Sequence, residues 1–118
     1  MSAFDRFTVP DGHAEAWSRL LKDDNPIHGA EGGAVQPGPA NLAYLISAVM
    51  ERFPGSRVLK LQARFLSPLI APCEASVTCE VLESRASGDG ERLTLQATLL
   101  SGGEPRTRME ATLWRPAA

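Results

Sequence analysis

The sequence predicts an α+β fold in which an antiparallel sheet of about five or six strands wraps around one long central helix. Two patterns predict it: residues 40–50 are apolar nearly all round, and a two-residue alternation of apolar and polar side chains runs from Arg57 onward. The length of 118 residues suits one core, so we expect a single domain over 1–118. The helix and the sheet can bury their apolar surfaces only against each other.

Short signals predict the elements before the central helix. Phe7-Thr8-Val9 is β-prone, and Asp11 is a candidate N-cap for a first helix. Apolar side chains follow at helical spacing: Ala14, Trp17, Leu20 and Leu21. We expect this helix to end before Pro26, because proline disfavours the α conformation of the preceding residue. The glycine-rich segment 28–39 is expected to be a loop without regular structure.

The central helix and the strands after it have clear boundaries in the sequence. Pro39 suits the first turn of a helix, and Phe53-Pro54-Gly55 should end it. Turns are expected at 87–90 and 101–105, which would make the second half an antiparallel meander. Four sets of alternating side chains should share one face of their strands: Leu59, Leu61, Ala63 and Phe65; Ala75, Val77, Cys79 and Val81; Leu93, Leu95, Ala97 and Leu99; Thr107, Met109, Ala111 and Leu113. This is the hotdog arrangement, and pairing into a dimer would cover its sheet edges.

Composition and charge narrow the class of protein. Hydrophobic residues make up 43% of the chain, the formal net charge is −2 and the pI is near 5.6, so a nucleic-acid partner is not expected. The N-terminus has no apolar leader and no run approaches bilayer length, so we expect a cytoplasmic protein without a membrane partner. Cys73 and Cys79 should be reduced, since an extended strand holds them too far apart for a disulfide.

Candidate chemistry lies in the heptapeptide KDDNPIH, residues 22–28. On local grounds this is either a polar turn at a helix end or a catalytic acid and base held on one loop. A carboxylate and an imidazole can together orient and deprotonate a water molecule and return a proton. Asn25 can close an Asx turn and Pro26 can stiffen it, which would fix Asp23 and His28 relative to each other.

Asp23-x-Asn25-Pro26-x-His28, after a short helix and before a glycine turn and a long helix, resembles the hydratase motif of the MaoC-like, (R)-specific enoyl-CoA hydratase family. The segment ARFLSPLIAPCEASVTCEVLE is similar to that family's strand, proline-containing linker and next strand. The resemblance implies reversible hydration of a trans-2-enoyl thioester, or dehydration of the (R)-3-hydroxyacyl thioester. Asp23 and His28 would share the water chemistry, whereas Asp24 fills a variable position of the motif.

The resemblance also assigns the oxyanion donor, because Gly38 matches the family's glycine at the start of the central helix. Its backbone N–H would stabilise the negative charge on the thioester carbonyl, with support from the helix dipole. Pro37 and Pro39 have no N–H, which leaves Gly38 as the local donor. Asn41, the polar residue early in the helix, either contacts the substrate or satisfies a neighbouring backbone group.

The loop HGAEGGAVQPG resembles instead the corresponding loop of the β-hydroxyacyl-ACP dehydratases of fatty-acid synthesis. That family places a glutamate on the central helix, five residues after its glycine. This chain has Ala43 there, so the acid would come from Asp23. The substrate would be an acyl thioester of CoA or of an acyl carrier protein, with the pantetheine arm entering along the seam of a homodimer and with no cofactor or metal.

Two other functions fit the same fold. A hotdog thioesterase would direct water at the carbonyl carbon, although many such enzymes use an acid on the central helix that is missing here. A non-catalytic acyl-thioester binding domain is the other alternative. We expect Arg57, Lys60 and Arg64 to form a solvated strand face, the alternative being contact with a CoA phosphate or an acidic carrier protein.

Overall fold

The computed structural model describes residues 2–9, 34–35 and 38–117. Its elements, in chain order, are β1 Ser2–Val9, β2 Ala34–Val35, α1 Gly38–Arg52, β3 Arg57–Phe65, β4 Ile70–Ala71, β5 Cys73–Ser87, β6 Gly90–Ser101 and β7 Glu104–Pro116. The helix predicted between Asp11 and Pro26 lies outside the described residues. Within them, no helix is long and apolar enough to cross a membrane.

Five strands form one antiparallel sheet in the order β1-β5-β6-β7-β3. Strands β5, β6 and β7 form the predicted meander. The prediction is wrong for β3. A meander would pair β3 with β5, the next strand of the main sheet along the chain, but β3 pairs with β7. Alternation in a sequence shows which side chains share a face, but it does not record which strand lies alongside.

The loop predicted over 28–39 is also interrupted by regular structure. Ala34 pairs with Ala71 and Val35 with Ile70, so β2 and β4 form a small second sheet. The glycines around 34–35 hid this pairing, because two residues are too few to show an alternation. The linker between β3 and β5 thereby contacts the segment that leads into α1.

The turn between β6 and β7 follows the sequence prediction closely. Gly102 has a φ of 62° and Gly103 a φ of 73°, both in the left-handed region. A two-residue hairpin of this kind requires positive φ at both central positions, which glycine adopts without a Cβ penalty. The turn therefore places Ser101 opposite Glu104 and Leu100 opposite Pro105, and a register shift after Leu100 then brings Leu99 opposite Thr107.

The core lies between α1 and one face of the sheet. The helix turns Leu45, Ala48 and Val49 toward the sheet, and all three are buried. Its Tyr44 ring packs against the Phe7 ring of β1 at 5.0 Å between centroids. The predicted sets of β6 and β7 are buried completely, whereas β5 buries only half of its set and β3 buries none: the buried members are Ala75, Val77, Leu93, Leu95, Ala97, Leu99, Thr107, Met109, Ala111 and Leu113. This confirms the prediction of a sheet packed on a central helix.

Strand β3 departs from its predicted pattern of one wet face. Val58 pairs with Leu113 and Lys60 with Thr112, so Leu59 is an extra residue in a bulge. The bulge puts Val58, rather than Leu59, on the face that it shares with Leu61. In addition β3 is exposed along most of both faces, with only Leu61 half-buried, because it is the edge strand of the sheet.

The two cysteines lie on β5 and are free, as predicted. Cys79 is half-buried, and burial raises the pKa of its thiol, an effect that the nearby positive charge of Arg52 partly offsets. Cys79 therefore behaves as a packing residue of the sheet and not as an activated nucleophile.

Candidate functional site

The N-terminus of α1 is the centre of the candidate site. The helix begins at Gly38, as the sequence predicts, and its first turn carries no acidic side chain. The first N–H groups of an α-helix have no acceptor within the helix, and the dipole places partial positive charge there. Because Pro39 contributes no N–H, Gly38 is the outermost donor of this helix. Such a terminus can stabilise a developing negative charge on an oxygen atom.

The ring of Phe65, at the end of β3, covers Gly38. A β-carbon built on Gly38 would lie 3.2 Å from both Cε1 and Cζ of Phe65, which is closer than ordinary van der Waals contact. A side chain at position 38 would therefore require the Phe65 ring to shift by a few tenths of an ångström. The ring is nevertheless 55% exposed, so it forms a wall of the site that is open on its other side.

The linker after Phe65 is fixed by Arg106 of β7. The backbone N–H groups of Leu66 and Ser67 both donate to the Arg106 carbonyl, at 2.8 and 3.1 Å. The Arg106 guanidinium in turn donates to Ser67 Oγ at 3.3 Å and to the Pro68 carbonyl at 3.2 Å. These bonds hold the end of β3 against β7 and so fix the backbone that carries Phe65.

Asn41 lies one helical turn after Gly38 and is 3% exposed. Its Oδ1 is buried and has no donor within residues 2–9, 34–35 and 38–117. Both roles that the sequence left open for Asn41, contact with the substrate and satisfaction of a neighbouring backbone group, stay predictions. A buried amide oxygen without a partner is costly, and it leaves a polar acceptor available beside the helix N-terminus.

Sequence reasoning missed a second polar group on the same side of the sheet. Thr107 is fully buried, and its Oγ1 has no hydrogen-bond partner among the residues that the structure describes. It lies opposite Phe65 in the β3–β7 pairing, which places it next to the wall of the site. The available signal was a hydroxyl at an inward position of a strand whose other inward side chains are Met109, Ala111 and Leu113.

The motif residues Asp23, Asn25, Pro26 and His28 lie outside the described residues, and their roles stay predictions. The structure therefore brings together Gly38, Phe65, Asn41 and Thr107 without showing the predicted acid and base beside them. Within 2–9, 34–35 and 38–117, no group of three His, Cys, Asp or Glu side chains could hold a metal ion.

No family's sequence model matches this chain, and no curated protein matches it significantly in sequence. Solved structures do match. A MaoC-like dehydratase from Rhodospirillum rubrum superposes with a TM-score of 0.79 at 21% identity, over 100% of this chain and 94% of that one. An (R)-hydratase from A. caviae involved in PHA biosynthesis gives 0.76 at 18% identity, over 98% of both chains.

A 3R-hydroxyacyl-ACP dehydratase complex from Mycobacterium tuberculosis is similar as well. Its TM-score is 0.67 at 14% identity, over 94% of this chain and 90% of that one. These identities are low, but the superpositions extend over nearly the whole chain, including the helix and the sheet that form its core. The chain therefore has the hotdog fold, the α+β arrangement that its sequence predicts.

Proposed function

We propose that this protein reversibly hydrates a trans-2-enoyl thioester to the (R)-3-hydroxyacyl thioester, the thiol being CoA or an acyl carrier protein. The observation that carries the proposal is the start of α1 at Gly38, a glycine between two prolines, in a fold shared with an (R)-hydratase and a 3R-hydroxyacyl-ACP dehydratase. An acyl thioester needs a hydrogen-bond donor at its carbonyl oxygen, and the Gly38 N–H can supply one.

The predicted motif supplies the acid and base. His28, oriented with Asp23, takes a proton from water as the water oxygen bonds to the β-carbon. The π electrons of the alkene move toward the thioester carbonyl, whose oxygen becomes enolate-like and is held by the Gly38 N–H. The Asp23–His28 pair then returns a proton to the α-carbon, and the carbonyl reforms. The reverse sequence expels water from the 3-hydroxyacyl thioester, so one site serves both directions.

One assay separates this function from its two rivals. Crotonyl-CoA and longer enoyl-CoAs are offered to the protein, and loss of the conjugated double bond is followed separately from release of free thiol. We expect loss of conjugation without thiol release. Release of free thiol instead would identify a thioesterase. If the double bond is kept and no thiol is released, only the role of an acyl-thioester binding domain is left.

The motif is tested by Asp23→Asn and His28→Ala, each of which should reduce kcat to near background while the circular dichroism spectrum is unchanged. Removing a general acid or base typically costs about 10²- to 10⁴-fold in rate. Asp24→Asn is the matched control, because Asp24 is adjacent but fills a variable position of the motif. Full activity in both Asp23→Asn and His28→Ala would refute the assigned roles.

The role of the Gly38 N–H as the oxyanion donor can be tested by a substitution that removes it. Gly38→Pro deletes the N–H at a helix position where proline is tolerated, and Gly38→Ala adds a Cβ while it keeps the N–H. Both variants place a β-carbon against the Phe65 ring, so that steric effect is common to them, while only Gly38→Pro loses the N–H and adds ring carbons. We expect kcat of Gly38→Pro to be about 10²- to 10³-fold below that of Gly38→Ala. Equal kcat values would exclude the Gly38 N–H as the donor.

We further propose that the active form is a homodimer joined along β3. This strand ends the sheet, and its vicinity exposes Val58 at 40%, Leu59 at 41%, Phe65 at 55% and Leu66 at 39%. An exposed apolar edge strand with unpaired backbone groups is a surface that proteins normally cover. A second copy of the same edge would cover it and would bring a partner surface to the open side of the Phe65 ring.

Val58→Asp should shift the mass measured by light scattering from dimer to monomer. Val81→Asp is the control, because Val81 is 46% exposed on β5 but is distant from β3 in the strand order. A dimer that survives Val58→Asp and dissociates with Val81→Asp would place the interface elsewhere.

A further inference from the structure

The side of the sheet that faces away from α1 carries a cluster of positive charge. Cross-strand pairing sets Lys60 of β3 opposite Thr112 of β7, and Thr112 opposite Thr94 of β6. One step along the strands, Arg92 of β6 lies opposite Arg85 of β5. These side chains alternate with the buried inward residues of the same strands, so they belong to the face opposite the helix and the candidate site.

The cluster surrounds a depression of about 390 Å³. Its lining consists of three cationic side chains, two hydroxyls and one aliphatic side chain: Lys60, Arg85, Arg92, Thr94, Thr112 and Leu59. No carboxylate is among these lining residues. Every polar side chain in the depression can donate a hydrogen bond, and three of them are positively charged at neutral pH.

The positive charge is poorly compensated. Arg85 contacts Glu83 at 3.9 Å, but both side chains are about 60% exposed, so this pair contributes little. Lys60 and Arg92 form no ion pair within the described part of the chain. Like charges directly opposite each other, as in Arg85 and Arg92, destabilise an antiparallel pair. Furthermore, Arg92 Nε is buried and has no acceptor in the described part of the chain, which carries its own cost.

Two β-bulges bracket the depression. Register shifts occur between Val58 and Lys60 in β3, and between Val81 and Glu83 in β5. The row Lys60–Thr112–Thr94–Glu83 runs directly between these shifts. Bulges redirect side chains and increase local twist, and they are common beside functional sites.

We infer that this depression is an anion-binding site, separate from the hydratase site, for a phosphate group or a pair of linked phosphate groups. Arginine presents N–H groups that match phosphate oxygens in a bidentate manner, and Lys60 adds a point charge. The threonine hydroxyls can donate to the remaining oxygens. A bound phosphate would accept hydrogen bonds from the guanidinium groups of Arg85 and Arg92 and would offset the repulsion between their charges.

The dimensions and charges favour a compact phosphate ligand over an acidic protein or a nucleic acid. The three cations lie around one depression, whereas a second arginine pair, Arg64 and Arg108, shares its own depression with the carboxylate of Glu110. The chain as a whole carries a net charge of −2, which opposes a long polyanion. A compact anion instead experiences mainly the nearby cations, because salt screens charges beyond about 10 Å.

Calorimetric titration with inorganic pyrophosphate tests the site. We expect saturable one-to-one binding that Arg92→Gln and Lys60→Gln each weaken by roughly tenfold or more, the loss expected for one charge-assisted hydrogen bond. Lys60 is exposed, so its variant keeps the test valid if Arg92→Gln fails to fold. Arg108→Gln is the matched control, because Arg108 is on the same face with a buried, unpartnered Nε, but does not line this depression.

Three results would overturn the inference: no pyrophosphate binding by the unaltered protein, equal weakening by Arg108→Gln, or binding of polyglutamate without binding of pyrophosphate. Free CoA and 3′-dephospho-CoA distinguish the sources of the phosphate. If Arg92→Gln weakens the binding of CoA as well as of pyrophosphate, the ligand of the site is the nucleotide part of CoA. Unchanged CoA affinity with lost pyrophosphate affinity would identify a different phosphorylated ligand.

Discussion

The two faces of β6 and β7 are built from alternate residues of the same strands and have opposite properties. On the inner face eight consecutive alternating positions are at most 3% exposed: Leu93, Leu95, Ala97, Leu99, Thr107, Met109, Ala111 and Leu113. The outer face carries Arg92, Thr94, Gln96, Arg108, Glu110 and Thr112, none of which is fully buried, and Thr98, which is 3% exposed. The alternation of side chains along these strands therefore buries one face, and that burial stabilises the fold. The other face meets solvent at most positions and can bind a ligand.

The largest expected contrast comes from neighbouring residues of β6. Leu95→Ala should lower the free energy of unfolding by about 2–5 kcal/mol, because it leaves a cavity where Leu95 is now fully buried. Thr94→Ala, one residue away on the outer face, should change it by no more than about 0.5 kcal/mol. Urea unfolding followed by circular dichroism measures both. Equal losses would mean that the outer face is also part of the packed core.

A smaller effect should come from the two threonines whose buried hydroxyls have no partner. Thr107 is on the inner face and Thr98 on the outer face, at 0% and 3% exposure. Replacing Thr107 by valine removes an unsatisfied polar group without a change of shape and should raise the free energy of unfolding by about 1 kcal/mol. Thr98→Val should raise it by a similar amount, because the Thr98 hydroxyl is buried as well. A loss of stability in Thr107→Val would show that its hydroxyl is bonded in the native protein.

The smallest effect is expected at the rim, where Arg115 contacts Glu91. The Arg115 Nε donates to Glu91 Oε1 at 2.6 Å, and Ser84 Oγ donates to Oε2 at 3.1 Å. The bonds from Arg115 and then from Ser84 hold the pKa of Glu91 below its usual 4.5. Because the pKa of Glu91 is lower in the folded state than in the unfolded state, the ionised carboxylate stabilises the protein above pH 4.5. This stability is lost as the pH falls from 4.5 through the folded-state pKa.

Glu91→Gln should therefore flatten the dependence of stability on pH below 4.5, measured as the thermal unfolding midpoint between pH 6 and pH 3. Glu83→Gln is the control, because Glu83 contacts only the exposed side chain of Arg85, at 3.9 Å. If the unfolding midpoint of Glu91→Gln falls with pH as it does in the unaltered protein, other carboxylates cause the loss of stability in acid.

Much of the fold could be predicted because its signals are local. The inward side chains of β6 and β7 follow from strict alternation, the hairpin from Gly102-Gly103, and the start of α1 from Pro39. The pairing of β3 with β7 could not be predicted, because it joins segments far apart in the chain. The bulge at Leu59 was missed for a related reason: an extra residue shifts the alternation without any change of composition.

In the candidate site, too, some residues could be assigned from local sequence signals and others could not. Gly38 could be assigned because its neighbours Pro37 and Pro39 mark a helix start. The Phe65 ring over Gly38 could not, since that contact depends on where β3 ends relative to α1. Thr107 was placed on the inner face correctly, but only the structure shows that its hydroxyl is unpartnered there. The acid–base motif around Asp23 and His28 stays a prediction from the sequence.

Trp114 gives the outer face an intrinsic optical probe. Its indole N–H donates to the Ser87 carbonyl at 3.0 Å, the Arg57 guanidinium lies 5.5 Å from its ring centroid, and it is paired with Arg92 across β6 and β7. The only other tryptophan is Trp17, and Trp17→Phe would leave Trp114 as the sole source of indole emission. Fluorescence intensity and lifetime would then report events beside Arg92 in real time, without an attached dye.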